Sequence, residues 1–426
     1  MKRVVILCVW LFSVVAGHAQ LSLDECRRLA RENYPEIRQY DLVHQTEQYN
    51  LSNAARAWIP QLAFSAQATW QTDAPNFPKE LTGMLAQQGL EIPGLRKDQY
   101  KVALELNQTI WDGGKSVADK RIARAEAAEQ KTMTDVDLYE LEGRVDDLYF
   151  GILLLDERIA QTNLTLNLLR SNLEKVRALQ RNGVAMQSDA DVLEAELLSV
   201  GQQLIQFESS CDSYRRMLGI FIGQKVGDRK LQRPSAVQPL SGESARPELA
   251  MFAAKIDRLT AQEKMVKSSS MPRLGVFAQG YYGYPGLDYM QSMMNSDWSW
   301  NAMLGVKLSW NFGAYYTQKN NLNKLRTSRQ QVEVQRDVFL FNMNLQAAQE
   351  NGDIARLRKA IADDDRIVAL RRSVREAAES KLRNGIIDTH DLLSKITDES
   401  TASMARSMRE IELLKAIYEY KHTINR

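Results

Sequence analysis

Residues 138–176 read LYELEGRVDDLYFGILLLDERIAQTNLTLNLLRSNLEKV, and this stretch decides the architecture of the chain. Positions three and four residues apart form a seam, apolar at all positions but one: Leu138, Leu141, Val145, Leu148, Ile152, Leu155, Ile159, Thr162, Leu166, Leu169, Leu173 and Val176. A heptad seam of this length, without proline, predicts a long helix that supercoils on partner helices. At about 1.5 Å per residue, a helix from about Lys115 to Asn182 is a rod of about 100 Å. Such a rod belongs either to an extended coiled-coil scaffold or to a helical tube that spans a distance.

The composition of the 426 residues is that of a folded protein, with 44% apolar and 25% charged residues. Lys and Arg number 55 and Asp and Glu 53, so the charge balance gives no basis for binding nucleic acid. Residues 1–19 are predicted to be a signal peptide, with Lys2 and Arg3 before an apolar core and Gly17-His18-Ala19 at the cleavage site. A membrane anchor is the alternative. No later apolar run approaches about 18 residues, so no transmembrane helix is expected in the mature chain.

Four stretches alternate apolar and polar residues, at about 61–70, 101–111, 273–284 and 300–312, with loops predicted at 71–98 and 285–297. Their length of about ten residues and their single apolar face are typical of membrane-spanning β-strands. Five tryptophans in or beside the strands are predicted to be membrane-interface aromatics: Trp70, Trp111, Trp298, Trp300 and Trp310. The alternative is a soluble sheet packed on the chain's own helices.

The order of elements occurs twice along the chain. After the signal peptide, the first structural repeat covers residues 20–245, with strands at about 61–70 and 101–111, a long helical hairpin at about 115–218 and a connector at 219–245. The second covers residues 246–426, with strands at about 273–284 and 300–312 and a long helical hairpin at about 317–424. Asn182-Gly183 and Asn384-Gly385 end the long helices and mark the two hairpin tips.

Four strands cannot close a barrel, and an open sheet edge cannot lie in lipid. If the strands span a membrane, several chains must therefore combine them, and a trimer would supply twelve. The predicted fold class is an α+β membrane protein built from two internal repeats. In it a trimeric 12-stranded β-barrel, with 4 strands per chain, is continued by a long α-helical coiled-coil barrel.

Several short motifs in this order carry a family resemblance: Asn33-Tyr34-Pro35-Glu36-Ile37, Ile110-Trp111-Asp112-Gly113-Gly114, Arg181-Asn182-Gly183-Val184 and Arg383-Asn384-Gly385-Ile386. With them the chain resembles the TolC-like outer-membrane efflux channels over essentially its whole mature length. The resemblance implies a homotrimer in outer-membrane lipid of a bacterial cell, with the helical domain in the periplasm. It also implies two partners, a periplasmic adaptor (membrane fusion) protein and an inner-membrane transporter of the RND or ABC type.

The function expected from this resemblance is that of a passive exit duct, the outer-membrane channel of a tripartite efflux or type I-like export system. The alternative is a periplasmic coiled-coil scaffold or adaptor protein with a soluble β-sheet. No nucleophile-and-base set, phosphate loop or metal-spaced cluster is found, so neither catalysis, a cofactor nor a metal is expected. Cys211 occupies a seam position and is interpreted as a small buried hydrophobe, although one disulfide with Cys26 is possible.

Candidate functional residues lie at the hairpin tips. Gly183, Val184, Gly385 and Ile386 are predicted to dock the adaptor, because a tight reversal exposes backbone and side chains to another hairpin. Asp191 and Asp391 are predicted to form an acidic ring at the periplasmic aperture, the alternative being carboxylates that favour the start of a helix. Gly183 to Asp191 is eight residues and Gly385 to Asp391 is six, so the first tip is expected to carry about two extra residues.

Overall fold

The computed structural model describes residues 20–235 and 244–425, so the predicted signal peptide lies outside the described residues. The described residues are mostly helical (70%) and contain a four-stranded antiparallel sheet, which agrees with the prediction of four strands per chain. The helices are α1 (Leu23–Asn33), α2 (Gln39–Arg56), α3 (Lys79–Gln87), α4 (Lys115–Arg181), α5 (Gln187–Ile222), α6 (Pro247–Ser268), α7 (Tyr289–Met294), α8 (Ala314–Arg383) and α9 (Thr389–Ile424), with a 3-10 turn at Pro35–Arg38. The strands are β1 (Gln61–Trp70), β2 (Asp98–Trp111), β3 (Arg273–Tyr284) and β4 (Ser299–Ser309).

The chain divides into two compact units, and each unit combines segments from both predicted repeats. One unit consists of residues up to 39, 132–250 and 336–426, and the other of residues 40–131 and 251–335. The second unit contains the whole sheet, in the order β1-β2-β3-β4 with every neighbouring pair antiparallel. The outer strands β1 and β4 therefore each have one unpaired edge.

The sheet has an apolar face that no helix of its unit covers. Phe64 is 73% exposed, Trp300 81% and Leu304 80%, so these large side chains point away from protein. A soluble sheet packed on its own helices would bury this face, which removes the physical basis of that alternative.

A bulge in β2 changes which face its last residue occupies. Strict alternation would place Trp111 on the polar face with Lys101 and Glu105. The register shifts between Thr109 and Trp111, so that Trp111 pairs with Leu274 and joins the apolar face. The bulge is therefore what gives Trp111 the exposure predicted for an interface aromatic.

Both loops between strands contain a short helix that the sequence analysis did not identify. Helix α3 lies within 71–98, and α7 lies within 285–297, where the Asp288 side chain accepts a hydrogen bond from the Gln291 amide (2.9 Å). Proline and glycine flank both helices, and these residues are what favoured a loop. β4 ends at Ser309, so Trp310 lies just beyond the strand in which it was predicted.

In the other unit, α4 and α5 form one antiparallel hairpin and α8 and α9 form another. All four helices contribute to one apolar cluster near the tips: Leu166, Leu169, Leu173, Val176, Ala190, Leu193, Val200, Ala378, Leu392 and Ile396. Farther along α4, the Tyr149 hydroxyl reaches the carbonyl oxygens of Leu21 (2.7 Å) and Gln232 (2.6 Å). This side chain thereby ties the start of the described chain and the connector to the long helix.

The two cysteines of this unit are both free and buried. Burial raises the pKa of the Cys26 thiol to about 12 and also raises that of Cys211, so both are protonated at neutral pH. Cys211 is buried, as predicted, but it is not purely apolar, since its thiol donates to Asp156 Oδ1 (3.3 Å) and accepts from Arg215 Nε (3.3 Å). The possible disulfide is not formed.

Candidate functional site

The apolar face of the sheet is a continuous surface built in rows across the strands. One row joins Leu62, Leu106, Ala278 and Leu304, and the next joins Phe64, Leu104, Gly280 and Ala302. Because each strand alternates, these rows follow directly from the sequence pattern and the register.

Aromatic side chains lie at both ends of this face. At the loop end, ring centroids lie 5.6 Å apart for Tyr100 and Trp298 and 5.0 Å apart for Tyr282 and Trp300. At the helix end, Trp310 packs 4.7 Å from Phe312, and Trp111 is also placed there by the bulge.

The spacing of the two aromatic groups fits a bilayer. The 11 residues of β4 span about 36 Å at about 3.3 Å per residue, which a strand tilt of about 40° reduces to about 28 Å. The apolar band of an outer-membrane barrel is about 25 Å tall. The geometry therefore supports, for all five predicted tryptophans, the proposal that they lie at membrane interfaces.

The opposite face of the sheet is polar and makes its own hydrogen bonds. Lys101 Nζ donates to Gln279 Oε1 (2.9 Å), and Gln279 in turn donates to Glu105. The Lys101 ammonium also lies 4.5 Å from the centre of the Tyr281 ring. An apolar outer face and a hydrogen-bonded polar inner face are the arrangement of a barrel wall around water.

The two hairpin tips have the same backbone. Each turn has five residues between its helices, 182–186 and 384–388. Gly183 and Gly385 have φ of 73° and 67°. The amides of Val184 and Ile386 donate to the carbonyls of Leu179 and Lys381, both at 2.9 Å. The positive φ and these hydrogen bonds form the glycine-terminated helix end that the Asn-Gly pairs predicted.

The prediction that the first tip carries about two extra residues is wrong, since both turns have the same length. Asp189 is the third residue of α5 and Asp391 the third residue of α9, so these two aspartates are equivalent and Asp191 lies two positions farther on. The prediction aligned Asp191-Val192-Leu193 with Asp391-Leu392-Leu393 because the two sequences are alike. The correct alignment follows from the first residues of α5 and α9, which sequence similarity alone does not give.

The helix starts differ in their hydrogen bonds. At the first tip, Asp189 Oδ2 accepts from the Met186 amide (2.8 Å), while Asp191 Oδ1 accepts from the side chain of Gln187 (2.7 Å). At the second tip, the Asp391 amide donates to Asp388 Oδ1 (2.8 Å). The carboxylate of Asp388 thus caps α9. At the start of α5 the corresponding side-chain hydrogen bond is the one that Asp189 accepts from the amide of Met186, the residue before the helix. Asp191 and Asp391 themselves are exposed.

Apolar side chains project into solvent at both tips. Val184 is 68% exposed, Met186 74% and Ile386 67%. A Cβ atom at Gly183 or Gly385 would meet no atom within 4 Å, so the glycines are also open. Met186 lies within the predicted first tip, from Gly183 to Asp191, but was not singled out, because its exposure depends on the turn and not on a motif.

The three histidines of the described chain are not brought together, and among residues 20–235 and 244–425 no group of three or more His, Cys, Asp or Glu could hold a metal ion. His390 is exposed at the second tip. His422 stacks on Tyr139 with ring centroids 4.1 Å apart, and burial together with Arg246 lowers the pKa of its imidazole to about 4. None of the helices in the described chain is both long and apolar enough to cross a membrane.

Comparisons with known proteins agree with this geometry. Residues 27–223 match the family model of the outer membrane efflux protein, whereas a search of the curated proteins returned no significant match. The fold is similar to that of the outer membrane protein VceC from Vibrio cholerae (TM-score 0.67, 14% identity, 94% of this chain and 95% of that chain). It is also similar to the CmeC outer membrane channel of Campylobacter jejuni (TM-score 0.64, 14% identity, 94% and 85%) and to the open state of the Neisseria gonorrhoeae MtrE outer membrane channel (TM-score 0.66, 14% identity, 94% and 88%).

The family match and the shared fold support each other, because the matched segment contains β1, β2 and the whole first hairpin. Residues 27–223 are thus similar in sequence to the outer membrane efflux protein family, and the chain shares the fold of outer membrane channels over 94% of its length.

Proposed function

We propose that three copies of the chain assemble into a passive exit duct through the outer membrane, in which their sheets close a 12-stranded barrel. The observation that carries this proposal is the four-stranded sheet with an exposed apolar face and two unpaired edges. An unpaired edge strand in lipid leaves backbone groups without partners, at a cost of several kcal/mol per group. β1 also lacks the charges, prolines and bulges that protect the edge of a soluble sheet.

A second unpartnered surface supports assembly. Val338, Phe341 and Leu345 lie on one face of α8 at spacings of three and four residues, and they are 53%, 65% and 57% exposed. A heptad seam of this kind needs a partner helix. Neighbouring copies of the chain would supply it, which would continue the duct as a barrel of helices.

The two halves of the chain, residues 20–245 and 246–426, are proposed to be structural repeats. The lengths of their helices support this interpretation: α4 and α8 have 67 and 70 residues, and α5 and α9 have 36 each. The identical tip turns support it as well. A duct built this way carries two hairpin tips per protomer, so a trimer presents six.

We also propose that the tips contact a periplasmic adaptor protein and, through it, an inner-membrane transporter of the RND or ABC type. Gly183, Val184, Gly385 and Ile386 would form the docking surface together with Met186. The exposed carboxylates of Asp191 and Asp391 would line the periplasmic aperture. The duct itself performs no catalysis in this proposal, because the transporter would supply the energy and select the substrate.

Fractionation tests the proposed assembly directly. The protein should be extracted from outer membranes by detergent as a trimer that gel electrophoresis resolves before heating and that becomes a monomer after heating. In planar bilayers the purified trimer should conduct ions. Recovery of the protein as a soluble periplasmic monomer, without conductance, would instead support the coiled-coil scaffold with a soluble sheet.

A further inference from the structure

Two cations, Arg273 and Lys307, lie on the polar face of the sheet near its helix end. Lys307 in β4 lies opposite Gly275 in β3, and Arg273 in β3 lies opposite Ser309, so the two side chains are diagonal neighbours. Both are exposed. Within the described chain neither makes an ion pair or a side-chain hydrogen bond.

The other charges on this face are already compensated. Lys101 and Glu105 are linked through Gln279. The strands thus present three cations (Lys101, Arg273 and Lys307) and one carboxylate (Glu105) on the polar face. Since Lys101 and Glu105 balance each other, the excess positive charge comes from Arg273 and Lys307.

The neighbouring strand in a closed barrel would not supply the missing carboxylate. In the proposed trimer the open edge of β4 meets β1 of the next copy, and β1 has the sequence QLAFSAQATW, without any charged residue. No register of that pairing can neutralise Lys307.

The two cations border a recess in the polar face. Gly275 has no side chain between Thr109 and Lys307, which share its row. A cavity of about 340 Å³ lies there, and Asn107, Thr109, Arg273, Phe277 and Lys307 contribute to its lining. Hydroxyl and amide donors therefore lie beside the two cations, which is the chemistry that binds carboxylate and phosphate groups.

Two carboxylates also line the cavity, but each has its own partners. Asp112 accepts hydrogen bonds from the amides of Gly114 (2.9 Å) and Ser116 (2.7 Å) at the start of α4. Asp119 pairs with Lys115 (2.8 Å). Both carboxylates keep their charge, but the lining also contains Lys115, so three cations (Lys115, Arg273 and Lys307) outnumber the two carboxylates and leave a net charge of +1.

We propose that Arg273 and Lys307 form an anion-binding subsite on the inner wall of the barrel, which holds carboxylate or phosphate groups of a substrate in transit. The inference rests on the proposed trimeric duct, in which threefold symmetry makes a ring of six cations. This ring is opposite in sign to the carboxylates proposed for the periplasmic aperture. A ring of cations in a pore favours anions.

The test uses the purified full-length trimer in planar bilayers, with inorganic tripolyphosphate as the probe. The wild-type channel should be blocked by tripolyphosphate added on the loop side. In the double variant Arg273→Gln/Lys307→Gln we expect the blocking concentration to rise by about tenfold or more, and the reversal potential in a KCl gradient to shift toward cation preference. The swapped variant Arg273→Lys/Lys307→Arg keeps both charges and should keep the block.

A matched control removes two lysines outside the sheet, Lys225→Gln/Lys230→Gln, and should leave block and reversal potential unchanged. Unchanged block and reversal potential in the Arg273→Gln/Lys307→Gln channel would overturn the subsite while leaving the duct intact. If that double variant does not form channels, each single variant should weaken the block, and two unchanged single variants would overturn the subsite equally. A wild-type protein that forms no trimer and no channel would overturn the proposed duct, and the subsite with it.

Discussion

The two hairpin tips, residues 182–186 and 384–388, have turns of equal length and equivalent backbone hydrogen bonds, but their second helices begin in different ways. Asp388 caps α9 with its carboxylate, whereas Met186, in the equivalent position before α5, is 74% exposed and has no capping side chain. The comparison indicates that the turn itself is required and that the cap can vary. An exposed methionine in place of a cap is explained if that position contacts a partner.

The largest expected effect comes from breaking the feature that both tips share. In Gly183→Leu/Gly385→Leu, a side chain is forced onto a backbone with φ near 70°, at a cost of roughly 1–2 kcal/mol per site, and it also covers the open docking surface. We expect export in cells to be lost while trimers stay in the outer membrane. Gly201→Leu is the matched control, since a Cβ there also meets no atom within 4 Å but Gly201 is not one of the positive-φ glycines. Normal export by the double variant would contradict the docking proposal.

The exposed carboxylates beyond the tips are expected to have the next largest effect. In single-channel recordings, Asp191→Ala/Asp391→Ala should weaken cation preference and raise the concentration of a trivalent cation needed for block by about tenfold. Asp212→Ala provides the control, because its carboxylate pairs with Arg216 (2.8 Å) on α5, about six helical turns beyond Asp191. If the trivalent cation blocks the wild-type and double-variant channels equally, with helix content unchanged, these carboxylates do not form an acidic ring at the aperture.

The difference between the two helix starts can be measured by stability. Asp388→Ala removes a side-chain cap and should destabilise α9 by about 1 kcal/mol, seen as a lower melting temperature by circular dichroism. Met186→Ala removes no cap and should leave the melting temperature nearly unchanged. If the two substitutions lower the melting temperature equally, the two tips do not differ in how their second helices are capped.

A smaller effect on thermal stability is expected from a change of pH. It should depend on the buried His422 and not on His390 at the second tip. The pKa of His422 is lowered to about 4 by burial, with Arg246 and Arg27 acting in the same direction and Glu248 and Asp147 opposing it. An unfolded chain binds this proton near pH 6.5, so the folded state loses stability as pH falls from about 6.5 toward 4. His422→Gln should therefore show less loss of thermal stability than the wild type across this interval. His390→Gln, at the exposed tip, should behave like the wild type.

The elements that could be predicted from the sequence are those fixed by local periodicity. Four strands per chain were predicted and are present, because alternation over about ten residues leaves little ambiguity. The seam of α4 was predicted too, and Leu138, Leu141 and Val145 are completely buried. Both tips could be predicted as well, because an Asn-Gly pair ends a helix through its local backbone conformation.

Features that depend on tertiary contacts could not be predicted. Tyr149 and Phe150 are completely buried although neither lies on the heptad seam, because the connector and α9 pack against that side of α4. The equivalence of Asp189 and Asp391 required the helix starts, and the face of Trp111 required the bulge. The paired and unpaired charges of the sheet likewise depend on register, which alternation alone does not give.

The central claim is that β1 of one copy pairs with β4 of the next, and disulfide trapping tests it most directly. Since antiparallel pairing brings the end of β1 beside the start of β4, Thr69→Cys/Asn301→Cys places cysteines at the same end of both strands. The native Cys26 and Cys211 are buried and should not compete. Mild oxidation in membranes should yield covalently linked dimers and trimers, whereas Thr69→Cys/Ser309→Cys, with its cysteines at opposite ends, should yield none. The absence of linked species from Thr69→Cys/Asn301→Cys and from two pairs that sample neighbouring registers on the same face, Gln67→Cys/Asn301→Cys and Thr69→Cys/Met303→Cys, would contradict a barrel closed by three chains.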